Sequence, residues 1–138
     1  MTLPNKILCV LGATIAVALA ACAIASTNPL RRDAGVIRTK LLQKNPLGSS
    51  LNDVNTAAVR QGWKVRYHWQ RLPADPFEPI SAKNVDAAFP NTQTTELICI
   101  EIGGYQGWPW YTTVQSDWAF DSNGRLVGLH ISKVEDAL

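Results

Sequence analysis

Two histidines and two aspartates are the side chains in this sequence that first invite a catalytic interpretation. His68 and His130 fall on the polar sides of two predicted strands, where their imidazoles can approach each other. Two imidazoles rarely hold a metal ion without a carboxylate or thiolate beside them. Asp117 and Asp121 stand four residues apart, which predicts both on the solvent face of one strand as solubilising charges. We expect no metal site, and a small hydrolase built from His68, Asp117 and His130 is the least favoured alternative.

The short motifs that mark common enzymes are absent from the sequence. It contains no G-x-S-x-G, no Walker loop, no H-E-x-x-H and no C-x-x-C. The glycine-rich stretch 103–107 follows a predicted strand without a helix behind it, whereas a phosphate-binding loop opens a helix. We interpret this stretch as a bend between strands. The sequence favours a protein that is not an enzyme and needs no cofactor.

An aromatic run around a proline is the best candidate for recognition. The predicted partner-binding residues are Trp108, Pro109, Trp110 and Tyr111. Proline restricts the backbone, and aromatic side chains offer much contact area for little lost conformational entropy. Trp110 continues the alternation of the strand that follows, so we expect it to lean toward the core and Trp108 to be the more exposed ring. The alternative is that all these rings fold back onto the core.

An apolar run from Ile7 to Ala25, preceded by Lys6, has the parts of a bacterial export signal. Within it, Leu19-Ala20-Ala21-Cys22 resembles the lipobox of bacterial lipoproteins, in which the cysteine is acylated. We therefore predict residues 1–25 to be a signal peptide or membrane anchor, with lipidation at Cys22.

Two other outcomes for this run stay open. Ordinary cleavage is compatible with Ala18-Leu19-Ala20 and with Ala23-Ile24-Ala25, which both fit the A-x-A rule. An uncleaved anchor is the other, although a transmembrane helix needs about 20 mostly apolar residues and many here are alanine. Arg31 and Arg32 lie just beyond the run and argue against export, because basic residues prefer to stay in the cytoplasm.

Composition limits the size and the partners of the rest of the chain. The protein has 138 residues, 46% hydrophobic and 17% charged, which is enough for one domain with one core. Residues 31–71 hold nine Lys/Arg, and residues 72–138 hold nine Asp/Glu. Because both halves belong to one fold, we expect a mixed solvated surface and no nucleic-acid partner. If Cys22 carries lipid, no disulfide forms within the domain.

Hydrophobic periodicity predicts two helices followed by four strands. Ser50 and Asp53 are spaced as a capping box, and Gly62 stands where a left-handed residue ends a helix. Every second residue of the first strand, from Trp63 to Trp69, is expected to point to one buried face of the sheet. The predicted helices are 30–44 and 51–61, and the predicted strands are 63–69, 96–102, 111–121 and 125–133.

These elements predict an α+β fold, with two N-terminal helices packed on a four-stranded antiparallel meander. The last two strands are joined by a hairpin at Asp121-Ser122-Asn123-Gly124. Residues 26–138 form a single small domain in this interpretation. Residues 70–95 carry four prolines, at 73, 76, 79 and 90, and are predicted to be a long surface insertion with a possible helical turn over 82–89.

Two stretches, "LLQKNPLGSSLNDVNTAAVRQGW" and "SDWAFDSNGRLVGLHISKVEDAL", resemble the opening and closing motifs of a family of small, uncharacterised bacterial proteins. The shared features are a Pro-x-Gly-Ser turn, an Asp-Val helix ending in Gly-Trp, a Trp-x-Phe-Asp hairpin and a Lys-x-x-Asp-x-Leu tail. The order of elements is also similar to β-lactamase-inhibitor-like domains, including lipoproteins of the outer-membrane barrel-assembly machinery. The resemblance implies a fold and no reaction. The insertion at 70–95 is longer and richer in proline than the family pattern suggests.

Taken together, these features predict a membrane-anchored protein of the bacterial cell envelope, with its domain in the periplasm. The favoured function is a non-enzymatic binding or inhibitory module with a protein partner, attached to the membrane by its N-terminal segment or lipid. An immunity-type or stress-type membrane protein is the alternative.

Overall fold

A computed structural model describes residues 28–71, 87–90, 92–107 and 109–136. The apolar run with Cys22, most of the proline-rich insertion and Trp108 lie outside these residues. Among the residues described, no helix is long and apolar enough to cross a bilayer.

Two capped helices open the described part of the chain. A short 3-10 turn, Pro29–Arg31, precedes α1, which spans Ala34–Lys44. The predicted helix start at residue 30 is therefore too early, because Asp33 is extended and its side chain accepts a hydrogen bond from the Gly35 amide. Helix α2 spans Leu51–Gln61 and has the predicted capping box between Ser50 and Asp53. It ends at Gly62, whose φ of 67° is the left-handed conformation that glycine adopts without strain.

Four strands form one antiparallel sheet in the order β1-β2-β3-β4. Their bounds are Lys64–Gln70 for β1, Glu96–Gln106 for β2, Tyr111–Phe120 for β3 and Leu126–Asp136 for β4. Both helices pack on one face of this sheet. The α+β fold, with two helices before a four-stranded antiparallel meander, is thus confirmed.

Strand β2 continues through the two glycines that were expected to end it. Gly103 and Gly104 pair with Val114 and Thr113 of β3, after a register shift between Glu101 and Gly103. Gly103 absorbs the irregularity with a φ of 133°, which side chains rarely tolerate. The predicted bend at 103–107 is therefore wrong as far as Gln106, and the chain turns only after that residue.

Strand β1 has a bulge that splits its predicted apolar face. Val65 pairs with Ile100, whereas Tyr67 pairs with Cys99, so the register shifts between Val65 and Tyr67. A bulge sends the residues on its two sides to opposite faces of the sheet. Val65 and Tyr67 are 51% and 52% exposed, so the expectation of one continuous buried face on this strand is wrong.

The core lies between the helices and the covered face of the sheet. Trp118 is fully buried there, and its indole N–H donates to Ser116 Oγ at 2.9 Å. Strand β4 contributes Leu126, Leu129 and Ile131 to this core. Val127 packs on the other face, because the register shifts opposite Ala119 and Phe120.

The second face of the sheet is partly covered by the end of the insertion. Phe89 is 7% exposed and packs with Leu97 and Ala119. Gly128 leaves room for the ring, since a Cβ at that position would lie 2.6 Å from Phe89 Cδ1. The helical turn predicted over 82–89 lies mostly outside the described residues, of which residues 87 and 88 are helical.

Candidate contact surface at the tether end of the sheet

The sheet has two ends, and one of them carries the predicted recognition residues. This tether end consists of Asn28 to Arg32, the β2–β3 turn at residues 106–111, and Lys133. At the other end, called the hairpin end, lie the loop 45–50 and the turn 121–125. The tether end takes its name from Asn28, the residue through which residues 1–27 connect to the fold.

A short turn joins β2 to β3. Gln106 pairs with Tyr111, and the Gly107 amide donates to the carbonyl of Trp110 at 2.8 Å. The side chain of Gln106 donates to the Gly107 carbonyl at 3.0 Å. The turn is therefore closed by hydrogen bonds on both sides of Pro109, which itself restricts the backbone.

The aromatic side chains of this turn are open to solvent. Trp110 is 46% exposed, Tyr111 is 37% exposed, and Pro109 is exposed as well. The expectation that Trp110 leans toward the core is wrong. Trp110 precedes the first residue of β3, and the Gly107 hydrogen bond to its carbonyl holds it in the turn, so the alternation of the strand does not extend to it. Trp108 lies outside the described residues.

Tyr111 is held close against the backbone of β2. A Cβ on Gly104 would lie 2.5 Å from Tyr111 Oη and 2.6 Å from the carbonyl oxygen of Thr112. The hydroxyl end of the tyrosine therefore occupies the space that any other residue at position 104 would fill. The absence of a side chain at Gly104 lets Tyr111 lie along the sheet.

Cationic side chains connect the entering chain to this turn. Arg31 donates through Nη2 to the carbonyl of Gln106, and its guanidinium lies 5.1 Å from the centre of the Tyr105 ring. Lys133 Nζ lies 5.5 Å from the same ring and donates to the carbonyl of Arg32 at 2.7 Å. Both are cation–π distances. These contacts hold the residues that follow Asn28 against the ends of β2 and β4.

The sequence did not reveal this arrangement. Arg31 and Lys133 are far apart in the chain, and Tyr105 falls within the stretch 103–107 that the sequence predicts to be a bend. A signal was available only in the strand length, because extending β2 to Gln106 brings Tyr105 opposite Thr112 of β3, which in turn pairs with Glu135 of β4.

The attachment site predicted at Cys22 lies within a short reach of the turn. Cys22 and Asn28 are six positions apart in the sequence. A fully extended chain covers at most about 3.6 Å per residue, so the Cα atoms of Cys22 and Asn28 are no more than roughly 22 Å apart. Cys22 itself lies outside the described residues.

Two grooves border the helix layer, and Trp63 lines both. One has a volume of about 420 Å³ and is mainly apolar, with Leu30, Leu41 and Ile102 among its walls. The other, of about 710 Å³, is lined by polar side chains of α2 and by Asn45. Asn45 is 6% exposed, and its Nδ2 has no hydrogen-bond acceptor.

The three residues of the hydrolase alternative do not come together. Asp117 and His130 are paired on β3 and β4, on the second face of the sheet. His68 pairs with Ile98 on the helix-covered face, where its imidazole contacts the carboxylate of Glu96. Neighbouring strands project paired residues to the same face, so His68 cannot reach the other two through the sheet.

Asp117 and Asp121 also differ from their predicted positions. Asp121 follows the end of β3 and accepts hydrogen bonds from the Asn123 and Arg125 amides in the hairpin turn. Asp117 is half-buried, and its Oδ1 is buried without a hydrogen-bond partner. The prediction of two solubilising charges on one strand face is therefore wrong.

A polar row that the sequence did not predict crosses the second face. Tyr67, Cys99 and Asp117 are paired across β1, β2 and β3. Burial raises the pKa of the Cys99 thiol to about 12, and the carboxylate of Asp117 adds to the rise. Partial burial likewise raises the pKa of Tyr67 to about 12, again with a contribution from Asp117. Both groups are therefore protonated at neutral pH, and a thiol in this state is a poor nucleophile.

Within the described part of the chain, no group of three or more His, Cys, Asp or Glu side chains is placed to hold a metal ion. No family model, no curated protein and no solved structure matches this chain. The resemblance to small bacterial proteins, including lipoproteins, stays a prediction.

Proposed function

We propose that this protein is a membrane-anchored, non-enzymatic binding module of the bacterial cell envelope, with its contact surface at the tether end. The observation that carries the proposal is the turn at 106–111, where exposed aromatic side chains stand on a backbone braced by Pro109, Gly104 and Arg31. Solvent-exposed aromatics on a rigid support are typical of contact surfaces, since binding then costs little conformational entropy.

The anchoring part of the proposal rests on the apolar run and on Cys22. A thiol that follows Leu19-Ala20-Ala21 is the group a lipoprotein pathway would acylate. The short connection to Asn28 then keeps the domain near the bilayer. Export places the domain in the periplasm, where a binding module requires only an accessible surface and no cofactor.

The non-enzymatic part is supported by the geometry of the two groups of side chains that could have been catalytic. His68 is separated from Asp117 and His130 by the sheet, and the Cys99 thiol has a raised pKa. Neither arrangement supplies an activated nucleophile next to a general base. A surface for binding is the role that the remaining exposed features support.

Fractionation of bacteria that express the full chain tests the anchoring. We expect the wild type in the membrane fraction with incorporated palmitate, and Cys22→Ser released and unlabelled. Cys99→Ser is the matched control, because it removes a buried thiol of the domain and is expected to leave both the label and the location unchanged. Unchanged labelling and fractionation of Cys22→Ser would refute lipidation.

Capture of envelope components tests the contact surface. Trp110→Ala should reduce the amount of envelope material, lipid or protein, that the full chain retains from solubilised envelopes, whereas Asn123→Ala at the hairpin end should not. Equal retention by both variants and the wild type would show that the contact surface lies elsewhere, with the grooves beside Trp63 as the next candidates.

A further inference from the structure

We propose that the tether end docks on the bilayer itself, with the exposed ring of Trp110 inserted among the lipid headgroups and Tyr111 beside it at the surface of the sheet. This inference rests on the proposed function, because it takes the membrane anchor as given and names what the aromatic turn contacts.

The first argument is position. The contacts of Arg31 with Gln106 and Tyr105 hold the entering chain against the β2–β3 turn. An anchor at Cys22 lies no more than roughly 22 Å of extended chain from Asn28. The end of the domain closest to the anchor is therefore the end that carries the exposed aromatics. The hairpin end, at the other end of the strands, is directed away from the bilayer in this orientation.

The second argument is chemistry. Tryptophan and tyrosine concentrate at membrane–water interfaces, where the ring enters the apolar boundary and the polar atom stays hydrated. Trp110 and Tyr111 are adjacent and exposed by 46% and 37%. Pro109 precedes them and restricts the backbone, which reduces the conformational entropy lost on insertion.

The charged side chains of the tether end contribute less to this contact than its aromatic rings do. Arg31, Arg32 and Lys133 lie at the tether end, and β4 brings Glu135 to the same end. The opposite charges partly cancel, so electrostatic attraction to anionic lipid is weak. Docking should therefore persist on zwitterionic vesicles and in high salt, which separates this surface from a polybasic one.

A protein partner on the same turn is the competing occupant. It would have to fit between the domain and the bilayer, in the space that the short connection to Cys22 leaves. The bilayer needs no such space and is present wherever the anchor is. The geometry therefore favours lipid at the turn and leaves the grooves beside Trp63 for a protein partner.

Fluorescence quenching by brominated lipid tests the inference. The full chain, purified from membranes with its anchor, is reconstituted into phosphatidylcholine vesicles with or without bromine near the headgroup end of the acyl chains. The emission lost on bromination should be clearly smaller for Trp110→Phe than for the wild type. Trp118→Phe is the control: it removes a buried indole and should leave the lost emission unchanged.

Flotation of the same vesicles keeps the two proposals apart. If the wild type floats with the vesicles and Trp110→Phe loses as much emission as the wild type, the docking inference is overturned while the anchor stands. If the wild type does not float, the anchor and the docking fail together. Quenching from Trp110 that survives high salt supports the inference, whereas quenching abolished by salt overturns the aromatic mechanism.

Discussion

The two ends of the sheet are built on different principles. At the hairpin end, the loop 45–50 and the turn 121–125 are joined by backbone hydrogen bonds. The Gly48 amide donates to Leu126, and the Leu126 amide donates to Ser49, at 2.8 and 2.9 Å. Leu47, at 55%, is the large apolar side chain exposed there.

The tether end, by contrast, exposes adjacent aromatic residues and holds them with side-chain contacts. Arg31, Lys133 and Tyr105 brace it in place of a backbone network. Isolated exposed apolar residues such as Leu47 are ordinary, whereas neighbouring exposed aromatics on a rigid turn are not. This difference is the basis of our proposal that the tether end serves contact, whereas the hairpin end stabilises the fold.

The largest expected effect tests the core that both ends share. Trp118→Ala removes a fully buried side chain and its hydrogen bond to Ser116. We expect a loss of about 3–5 kcal/mol in the free energy of unfolding, measured by urea denaturation. Trp118→Phe keeps most of the volume and should cost clearly less. A melting temperature within error of the wild type would place Trp118 outside the core.

A smaller effect is expected from the support of the aromatic turn. In Gly104→Ala, the new methyl group clashes with Tyr111 Oη and the Thr112 carbonyl. We expect a loss of about 1–3 kcal/mol in stability, as for other overpacked sites. Gly104→Ala combined with Tyr111→Ala should recover part of it, because only the backbone clash remains. No loss in the single variant would mean that Tyr111 does not lie along Gly104.

The smallest effect belongs to the hairpin end. Ser50→Ala removes the N-cap of α2, whose Oγ accepts from the Asp53 amide at 3.2 Å. The expected loss is about 1 kcal/mol in the free energy of unfolding, and Ser50→Thr should restore most of it. Neither variant should change lipid contact at the turn. A change in lipid contact would break the separation between the two ends.

The same cap has a pH signature. Hydrogen bonds from the Ser50 side chain and backbone lower the pKa of Asp53 below its ordinary value of 3.8. A carboxyl whose folded pKa is lowered stabilises the protein above the unfolded pKa, and this stabilisation disappears as the pH falls through the folded pKa. The stability difference between the wild type and Asp53→Asn should therefore be constant at neutral pH and shrink below pH 3.8. A difference that grows in acid would contradict this assignment.

Local rules explain which elements the sequence predicted correctly. Helix α2, from Ser50 to Gly62, is specified by side chains that act on their immediate neighbours, and its bounds agree with the prediction. The hairpin at Asp121–Gly124 is likewise specified by its own residues, and Gly124 has the positive φ that was expected there.

The errors arose where pairing between distant strands decides the structure. The hydrophobic pattern predicts neither the bulge between Val65 and Tyr67 nor the continuation of β2 through Gly103. Each depends on the register of the partner strand. The bracing of the turn by Arg31 and Lys133 is a tertiary contact of the same kind, so the sequence predicted the aromatic residues but not what supports them.

Photo-crosslinking at the two ends tests the central claim most directly. Benzoylphenylalanine is placed at position 110 or at position 123 of the full chain in living bacteria, and irradiation joins it to whatever lies beside it. We expect lipid adducts at position 110 and none at position 123. Lipid adducts at position 123 with none at position 110 would contradict it, and protein adducts alone at position 110 would replace the bilayer with a protein partner.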